Sequence, residues 1–209
     1  MTMTRETIFY EDSAIAGARV VLSLMLIATA CLIADAVVGL RGIDVGTDTH
    51  AYAGVFLAMR DGFIATRFEP GFVLLTRLCS ATGMSVQAYQ AVLFGLSLAA
   101  AMLASRRYFD YLGGTRDYLT FLIAGLMFLF LSPMFVNGSI NAVRQGMASF
   151  LVFAALLSFQ QRQWWRFFLY GALASSLHYS SLLYLAFAPV LLLNLRLLDP
   201  GGNLTKGFQ

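Results

Sequence analysis

The chain has 209 residues, of which 59% are hydrophobic and only 12% are charged, and its mean hydropathy is +0.73. Soluble domains carry about 25% charged residues, so this composition excludes a disordered chain, a disulfide scaffold and an ordinary soluble enzyme. The length leaves room for about five or six apolar helices of roughly 20 residues each. The composition therefore predicts a polytopic membrane protein.

Arginine dominates the positive charge. The net charge is +3, and Lys206 is the only lysine. Arginine suits the bidentate binding of phosphate and carboxylate, although GC-rich codon usage enriches it as well. The basic residues are dispersed among apolar runs, which argues against nucleic acid as a partner. The two cysteines, Cys31 and Cys79, have neither disulfide nor metal-site spacing.

Apolar stretches along the chain predict an all-α bundle of about five transmembrane helices in a single membrane domain over residues 1–209. A cleaved signal peptide is the alternative for the first stretch, because residues 28–31 resemble a lipoprotein cleavage site. The apolar run continues past Cys31, which favours a retained helix. The predicted spans are 20–40, 87–105, 117–135, 142–159 and 167–195.

The segment 41–86 between the first two spans is predicted to be an outer loop with two juxtamembrane helices. Asp48 is placed to cap a short helix that runs to about Met59. Residues 71–82 are apolar but too few to cross a bilayer, and Arg77 lies in their middle, which predicts an interfacial or re-entrant helix. Glu69 precedes Pro70 and is expected to be extended, with the proline at the first helical position.

The arginines indicate an orientation. If residues 71–82 do not cross, the amino terminus shares one side with the loops 106–116 and 160–166, and the positive-inside rule places that side in the cytoplasm. The two sides carry equal numbers of basic residues, so the count alone does not decide the orientation. We expect the cytoplasmic amino terminus nevertheless, because the arginines on the other side lie in an acid-rich loop with candidate functional residues.

The first group of candidates lies in the outer loop and consists of Arg41, Asp44, Asp48, Thr49 and Tyr52. The two aspartates have an alternative interpretation as turn and cap residues. Glu69 forms the second candidate, and its alternative is a turn that leads into a helix.

Asn141, Arg144 and Gln145 form the third group, which i, i+3, i+4 spacing predicts to share one helix face. An arginine at the mouth of a span is costly unless it meets an anion or a carboxylate, although it can also snorkel to the interface. His178 lies about 12 residues into the last predicted span, where it is either functional or part of a small-residue packing face.

Metal and cofactor chemistry is not predicted. The only histidines, His50 and His178, are far apart and lack a paired carboxylate motif. There is no phosphate-binding glycine loop and no nucleophile elbow. Chemistry would rest on arginine for anionic charge, with carboxylates or histidine for proton transfer.

Four motifs follow one another along the chain: Arg41-Gly42 to Tyr52, Phe68-Glu69-Pro70-Gly71-Phe72, Asn141 to Ala148, and Ala174 to Ser181. In this order they resemble the EpsG family of Wzy-like membrane polymerases of exopolysaccharide, capsule and O-antigen. The resemblance extends to the broader GT-C glycosyltransferases, in which an outer loop after the first span carries an acidic residue and two juxtamembrane helices. Members of the family are usually much longer, so we expect this chain to be an amino-terminal portion.

The resemblance implies that the chain joins oligosaccharide repeat units linked to polyprenyl diphosphate, on the extracytoplasmic face of a bacterial inner membrane. Its expected partners are those substrates, the lipid bilayer, and other export or chain-length proteins. Two alternatives remain: a non-enzymatic flippase or export component for lipid-linked sugars, and a GT-C transferase that adds a single sugar.

The resemblance also suggests residue roles. Arg144 and Arg41 would stabilise the leaving diphosphate, and Asp48 or Glu69 would deprotonate or orient the acceptor hydroxyl. His178 is a second candidate base or a sugar contact, and the rings of Tyr52, Phe68 and Phe72 could stack on sugar or lipid headgroup. The expected catalytic set is Asp48, Glu69, Arg144 and His178, and the expected binding set is Arg41, Asp44, Thr49, Tyr52, Asn141 and Gln145.

Overall fold

The computed structural model describes residues 5–63 and 67–190, with side chains from residue 15 onward. Every regular element in these ranges is an α-helix, which confirms the predicted all-α membrane bundle. Residues 191–195 of the last predicted span lie outside the described residues. The helices are α1 (Arg5–Gly39), α2 (Thr49–Arg60), α3 (Pro70–Ala81), α4 (Val86–Tyr111), α5 (Tyr118–Leu131), α6 (Pro133–Ile140), α7 (Val143–Gln160), α8 (Trp164–Leu177) and α9 (Ser180–Ala186).

Three helices in the described ranges are long and apolar enough to cross a membrane: α1 from Ile15, α4 and α7. A fourth span is possible if α5 and α6 count as one, although they meet at a bend of 74°. Ser132 is extended at this bend and caps α6 through the N–H of Phe135, while Pro133 begins the new helix. The described bundle thus holds three or four candidate spans, fewer than the five or so that the sequence predicts.

The shortfall arises where 167–195 was predicted to be one continuous span. Helix α8 ends at Leu177, His178 is extended with φ −157° and ψ 119°, and α9 begins at Ser180. The 14 residues of α8 rise only about 21 Å, less than the roughly 30 Å of a bilayer core. The Ala174 carbonyl beside the break accepts the His178 N–H at 2.9 Å and a second hydrogen bond from the Ser181 hydroxyl at 3.3 Å.

Both short helices predicted between the first two spans are present, as α2 and α3. Glu69 is extended, with ψ 150°, and Pro70 occupies the first turn of α3, as expected. The predicted capping role of Asp48 is wrong in detail. Asp48 does occupy the N-cap position of α2, but its backbone is helical (φ −95°, ψ −9°) and its side chain makes no capping hydrogen bond. A residue whose side chain caps a helix typically has an extended backbone, and Asp48 does not.

Helix α7 lies at the centre of the bundle and packs against α4 on one side and α8 on the other. Small side chains allow this close approach. They are buried on all three helices and include Ala101 and Ala104 of α4, Ala154 and Ala155 of α7, and Ala174 of α8.

A second core, largely aromatic, anchors the short helices α2 and α3 to α4 and α7. Phe56 stacks on Tyr89 with ring centroids 4.5 Å apart, and the Tyr89 hydroxyl hydrogen-bonds Thr76 at 2.8 Å. Gly39 at the end of α1 lies against Ala91 near the start of α4. The end of α1 and the start of α4 are therefore at the same end of the bundle as α2 and α3.

Candidate functional site

Glu69 is the centre of a buried polar cluster formed by three separate parts of the chain. The residue is 5% exposed. Its Oε2 accepts a hydrogen bond from the Arg144 guanidinium at the start of α7, and the two groups form an ion pair. Its Oε1 lies 2.9 Å from Nδ1 of His178 and accepts the Tyr179 N–H at 3.3 Å. A buried carboxylate is costly unless its charge and lone pairs are satisfied, and these contacts do both.

Two local features place Glu69 there. Glu69 is extended ahead of Pro70, so its side chain projects from the start of α3. Gly71 lies against Ser176 near the end of α8, where an added Cβ would be 2.7 Å from the serine Cβ and 2.8 Å from its carbonyl oxygen. This glycine lets α3 approach α8 closely enough for Glu69 to reach His178.

The electrostatic environment keeps Glu69 ionised. Burial is the largest single influence and raises its pKa, but hydrogen bonds from its own backbone, Tyr179 and His178 act with the Arg144 charge in the other direction. The net effect lowers the pKa of the Glu69 carboxyl from its ordinary value. The carboxylate is therefore an acceptor at neutral pH.

Aromatic rings enclose the other partner of the ion pair. The Arg144 guanidinium carbon lies 4.3 Å from the Phe68 ring centroid, 5.5 Å from that of Phe72 and 5.9 Å from that of Tyr52. The three rings also contact one another, at 5.4 to 5.7 Å between centroids. These residues were expected to stack on sugar or lipid. In the structure they hold Arg144 by cation–π contacts.

A second polar group joins the outer loop to the start of α7. Arg41 donates to the Val38 carbonyl at the end of α1, and it lies 3.4 Å from the Thr49 hydroxyl. The Thr47 N–H donates to the Asn141 side-chain oxygen at 2.7 Å. Gly46 permits this contact, because it has φ +96° and an added Cβ would be 2.7 Å from that oxygen.

The predicted shared helix face of Asn141, Arg144 and Gln145 is wrong. Asn141 is the C-cap residue of α6, and Ala142 interrupts the helix with φ −123° and ψ 45° before α7 begins. Arg144 turns to Glu69, whereas Gln145 is exposed and lines a different surface.

That surface is a groove of about 190 Å³ between α7 and α9. The hydroxyl groups of Ser149 and Ser181 donate to backbone carbonyls of Gln145 and Ala174, so the groove wall is largely apolar. It extends along α7 from Gln145, the residue after Arg144 in the chain, to Leu156. Its lining is Gln145, Ala148, Ser149, Val152, Phe153, Leu156, Ser180, Ser181 and Tyr184.

Asp44 and Asp48 are not part of the cluster. Both are exposed, and neither side chain makes a hydrogen bond or ion pair with the described part of the chain. Within residues 5–63 and 67–190, no group of three or more His, Cys, Asp or Glu residues is arranged to hold a metal ion.

Residues 24–199 match the EpsG family, which covers most of the chain and every residue of both polar groups. The chain belongs to the EpsG family. This membership and the apolar helices indicate a membrane protein connected with exopolysaccharide. No curated protein and no solved structure matches the chain.

Sequence reasoning missed several contacts of this EpsG-family site. The Tyr179 N–H is available to Glu69 only because the helix breaks at His178. The polar run His178-Tyr179-Ser180-Ser181 inside an apolar stretch was the signal for that break. Two contacts of Asn141 were also missed. Its side-chain oxygen accepts the Thr47 N–H, and its side-chain NH₂ donates to the Asn137 side-chain oxygen at 2.6 Å. Nothing beyond loop composition pointed to Thr47 or Asn137.

Proposed function

We propose that the chain is a membrane-embedded glycosyl-transferring polymerase that joins oligosaccharide repeat units linked to polyprenyl diphosphate. The observation that supports this most strongly is the buried cluster of Glu69, Arg144 and His178 at one end of an EpsG-family bundle. It combines a cation that can stabilise a leaving diphosphate with a carboxylate and an imidazole that can accept or hold a proton.

The reaction is a displacement at an anomeric carbon. An acceptor sugar hydroxyl forms the new bond to that carbon, while the bond to the diphosphate oxygen breaks and its electron pair leaves with the diphosphate. Negative charge develops on the leaving group, so donors aimed there give the largest stabilisation. Glu69 occupies one nitrogen of Arg144, and a guanidinium carries five N–H donors, so donors remain for the diphosphate. Arg41 is the second cation in this role.

The groove between α7 and α9 supports a lipid-linked substrate. It starts next to Arg144 and His178 in the chain and is lined by Val152, Phe153 and Leu156 farther along α7. A molecule with an anionic head and a linear apolar chain would place the head at the cluster and the chain in this groove. Burial of the chain against apolar side chains then contributes to binding.

We place this end of the bundle outside the cytoplasm. Arg106 and Arg107 near the end of α4, Arg162 in the loop after α7 and Arg166 in the first turn of α8 lie at the other end, which the positive-inside rule assigns to the cytoplasm. The repeat units would then be joined at the extracytoplasmic face of a bacterial inner membrane.

Release of the lipid carrier tests whether the chain is an enzyme. The purified chain in proteoliposomes, given polyprenyl-diphosphate-linked oligosaccharide, should release free polyprenyl diphosphate. A flippase or export component would move the substrate without releasing it. In cells, Arg144→Ala should shorten or abolish the polymer at normal protein level, and wild-type polymer would refute the role of Arg144. Asp48→Ala tests whether the exposed aspartate retains the catalytic role first expected of it.

A further inference from the structure

The hydrogen bond between Glu69 and His178 determines which nitrogen of the imidazole carries hydrogen. Nδ1 of His178 lies 2.9 Å from Oε1 of Glu69. An ionised carboxylate can only accept hydrogen bonds, so Nδ1 must be the donor. In the neutral ring, the other nitrogen, Nε2, then bears a lone pair.

Glu69 and His178 differ in how much of each side chain is exposed. The Glu69 side chain is 7% exposed and has contacts on both oxygens, whereas 26% of the His178 side chain is exposed. A carboxylate with a lowered pKa, held by a guanidinium and two N–H groups, is a weak base. Of the two residues, His178 is the one that an acceptor hydroxyl can approach.

We infer that His178 is the general base through Nε2, and that Glu69 is a positioning residue that fixes its tautomer and orientation. This rests on the proposed function, because it assigns the proton in that reaction. The acceptor O–H bond breaks and its proton moves to Nε2, while the oxygen forms its bond to the anomeric carbon. The diphosphate leaves with the electron pair of the broken bond. The imidazolium that forms is stabilised by Glu69, and it returns its proton to water or the released diphosphate.

The helix break explains how His178 is presented. The extended backbone at His178 takes the residue out of α8, and the Tyr179 N–H, which precedes α9, donates to the same Glu69 oxygen. Glu69 therefore holds both the imidazole and the backbone beside it. The charged group in contact with the ring is the carboxylate of Glu69, the N-cap residue of α3, and Arg144 on α7 is paired with the other oxygen of that carboxylate.

Nitrogen NMR tests the tautomer without any activity assay. The chain contains two histidines, and His50 on α2 is exposed, so ¹⁵N-histidine labelling of a His50→Asn variant in bilayers gives the signals of His178 alone. At a pH where the ring is neutral, we expect hydrogen on Nδ1 and a free Nε2. Glu69→Gln should give a mixture of tautomers. Hydrogen on Nε2 in the His50→Asn variant with Glu69 intact, or no effect of Glu69→Gln, would overturn the positioning role.

Activity tests the base. His178→Asn keeps an N–H near the position of Nδ1 that can still donate to Glu69, but it has no counterpart of Nε2. We expect the polymerisation rate to fall by about 10²- to 10⁴-fold with an unchanged unfolding temperature. His178→Ala should recover part of its rate on addition of imidazole. Wild-type rate in His178→Asn would overturn the inference, whereas an inactive wild-type chain would instead refute the proposed function.

Discussion

At the scale of single residues, the site depends on one buried carboxylate. Glu69 satisfies Arg144, His178 and the Tyr179 N–H at once, and each of these groups would be left short of a partner without it. A buried ion pair adds little net stability over apolar residues of the same shape, but removal of one partner strands the other charge. The cluster is therefore expected to be sensitive to single changes and tolerant of matched ones.

Arg144→Met removes the cation and leaves the Glu69 charge buried. We expect the free energy of unfolding to fall by about 3 kcal/mol and the polymer to be lost. The double variant Arg144→Met/Glu69→Gln should regain most of the stability but no activity, because the stranded charge is gone while the diphosphate donor is still missing. Thermal unfolding in detergent and polymer gels measure both effects. Equal unfolding temperatures for the single and double variants would contradict this interpretation.

The lowered pKa of Glu69 makes stability depend on pH. A carboxyl with a depressed folded-state pKa stabilises the fold above its unfolded pKa, which is about 4.3 for glutamate, and this contribution is lost as pH falls through the folded value. We expect the unfolding temperature to decline below about pH 4.5. Glu69→Gln should show a smaller decline over the same range. Identical pH profiles would show that Glu69 is not stabilised as an anion.

At the scale of helices, the site depends on a break and on a close approach. The break at His178 places the imidazole outside the helix and releases the Tyr179 N–H to bind Glu69. Gly71 lets α3 approach α8 closely. Composition could predict the short helices α2 and α3, because residues 71–82 are too few to span and Pro70 begins a helix. The break at His178 was harder to predict, because its only local signal is a short polar run inside an apolar stretch. The Tyr179 N–H that the break releases from the helix is satisfied by Glu69, which is 110 positions away in the chain.

Gly71→Ala should separate α3 from α8, because its Cβ would overlap the Ser176 side chain and carbonyl. We expect reduced polymer at a similar protein level, since Glu69 would move away from His178. Gly54→Ala on α2 is the matched control, because an added Cβ there meets nothing within 4 Å. Equal polymer from both variants would mean that the close approach does not position Glu69.

The groove between α7 and α9 gives a test of lipid binding. Ser149→Trp should fill the groove and lower the rate mainly by raising the KM for lipid-linked substrate. Ser149→Ala keeps the groove open and should behave like the wild-type chain, because the serine hydroxyl is already bonded to the helix backbone. Rates at several substrate concentrations separate KM from kcat. Wild-type KM in Ser149→Trp would place the lipid elsewhere.

At the scale of the whole molecule, the two ends of the bundle differ in chemistry. One end holds the Glu69 cluster and the Arg41–Asn141 group. The other is rich in arginine, where Arg107 donates to Gln163 at 3.0 Å and Arg106 pairs with Asp110 at 3.1 Å. The sequence patterns could predict a membrane bundle with polar residues at one end. They could not predict which residues meet, because Glu69 and Arg144 are 75 positions apart.

Cysteine labelling tests the orientation of these ends. In a chain whose Cys31 and Cys79 are replaced, Asp48→Cys should react with a membrane-impermeant maleimide added outside intact cells. Arg162→Cys should react only after the membrane is opened, since its loop lies on the proposed cytoplasmic side. Both positions are exposed in the structure. The opposite pattern would reverse the orientation and place the site in the cytoplasm.

The most direct test of the central claim is the length distribution of saccharide made by the purified chain from polyprenyl-diphosphate-linked repeat units. The wild-type chain should give a ladder of lengths that grows with time, because each product is again a donor, and His178→Asn should give none at equal protein. A single added sugar would identify a transferase that stops after one step. Unchanged substrate with the wild-type chain would contradict the proposed activity altogether.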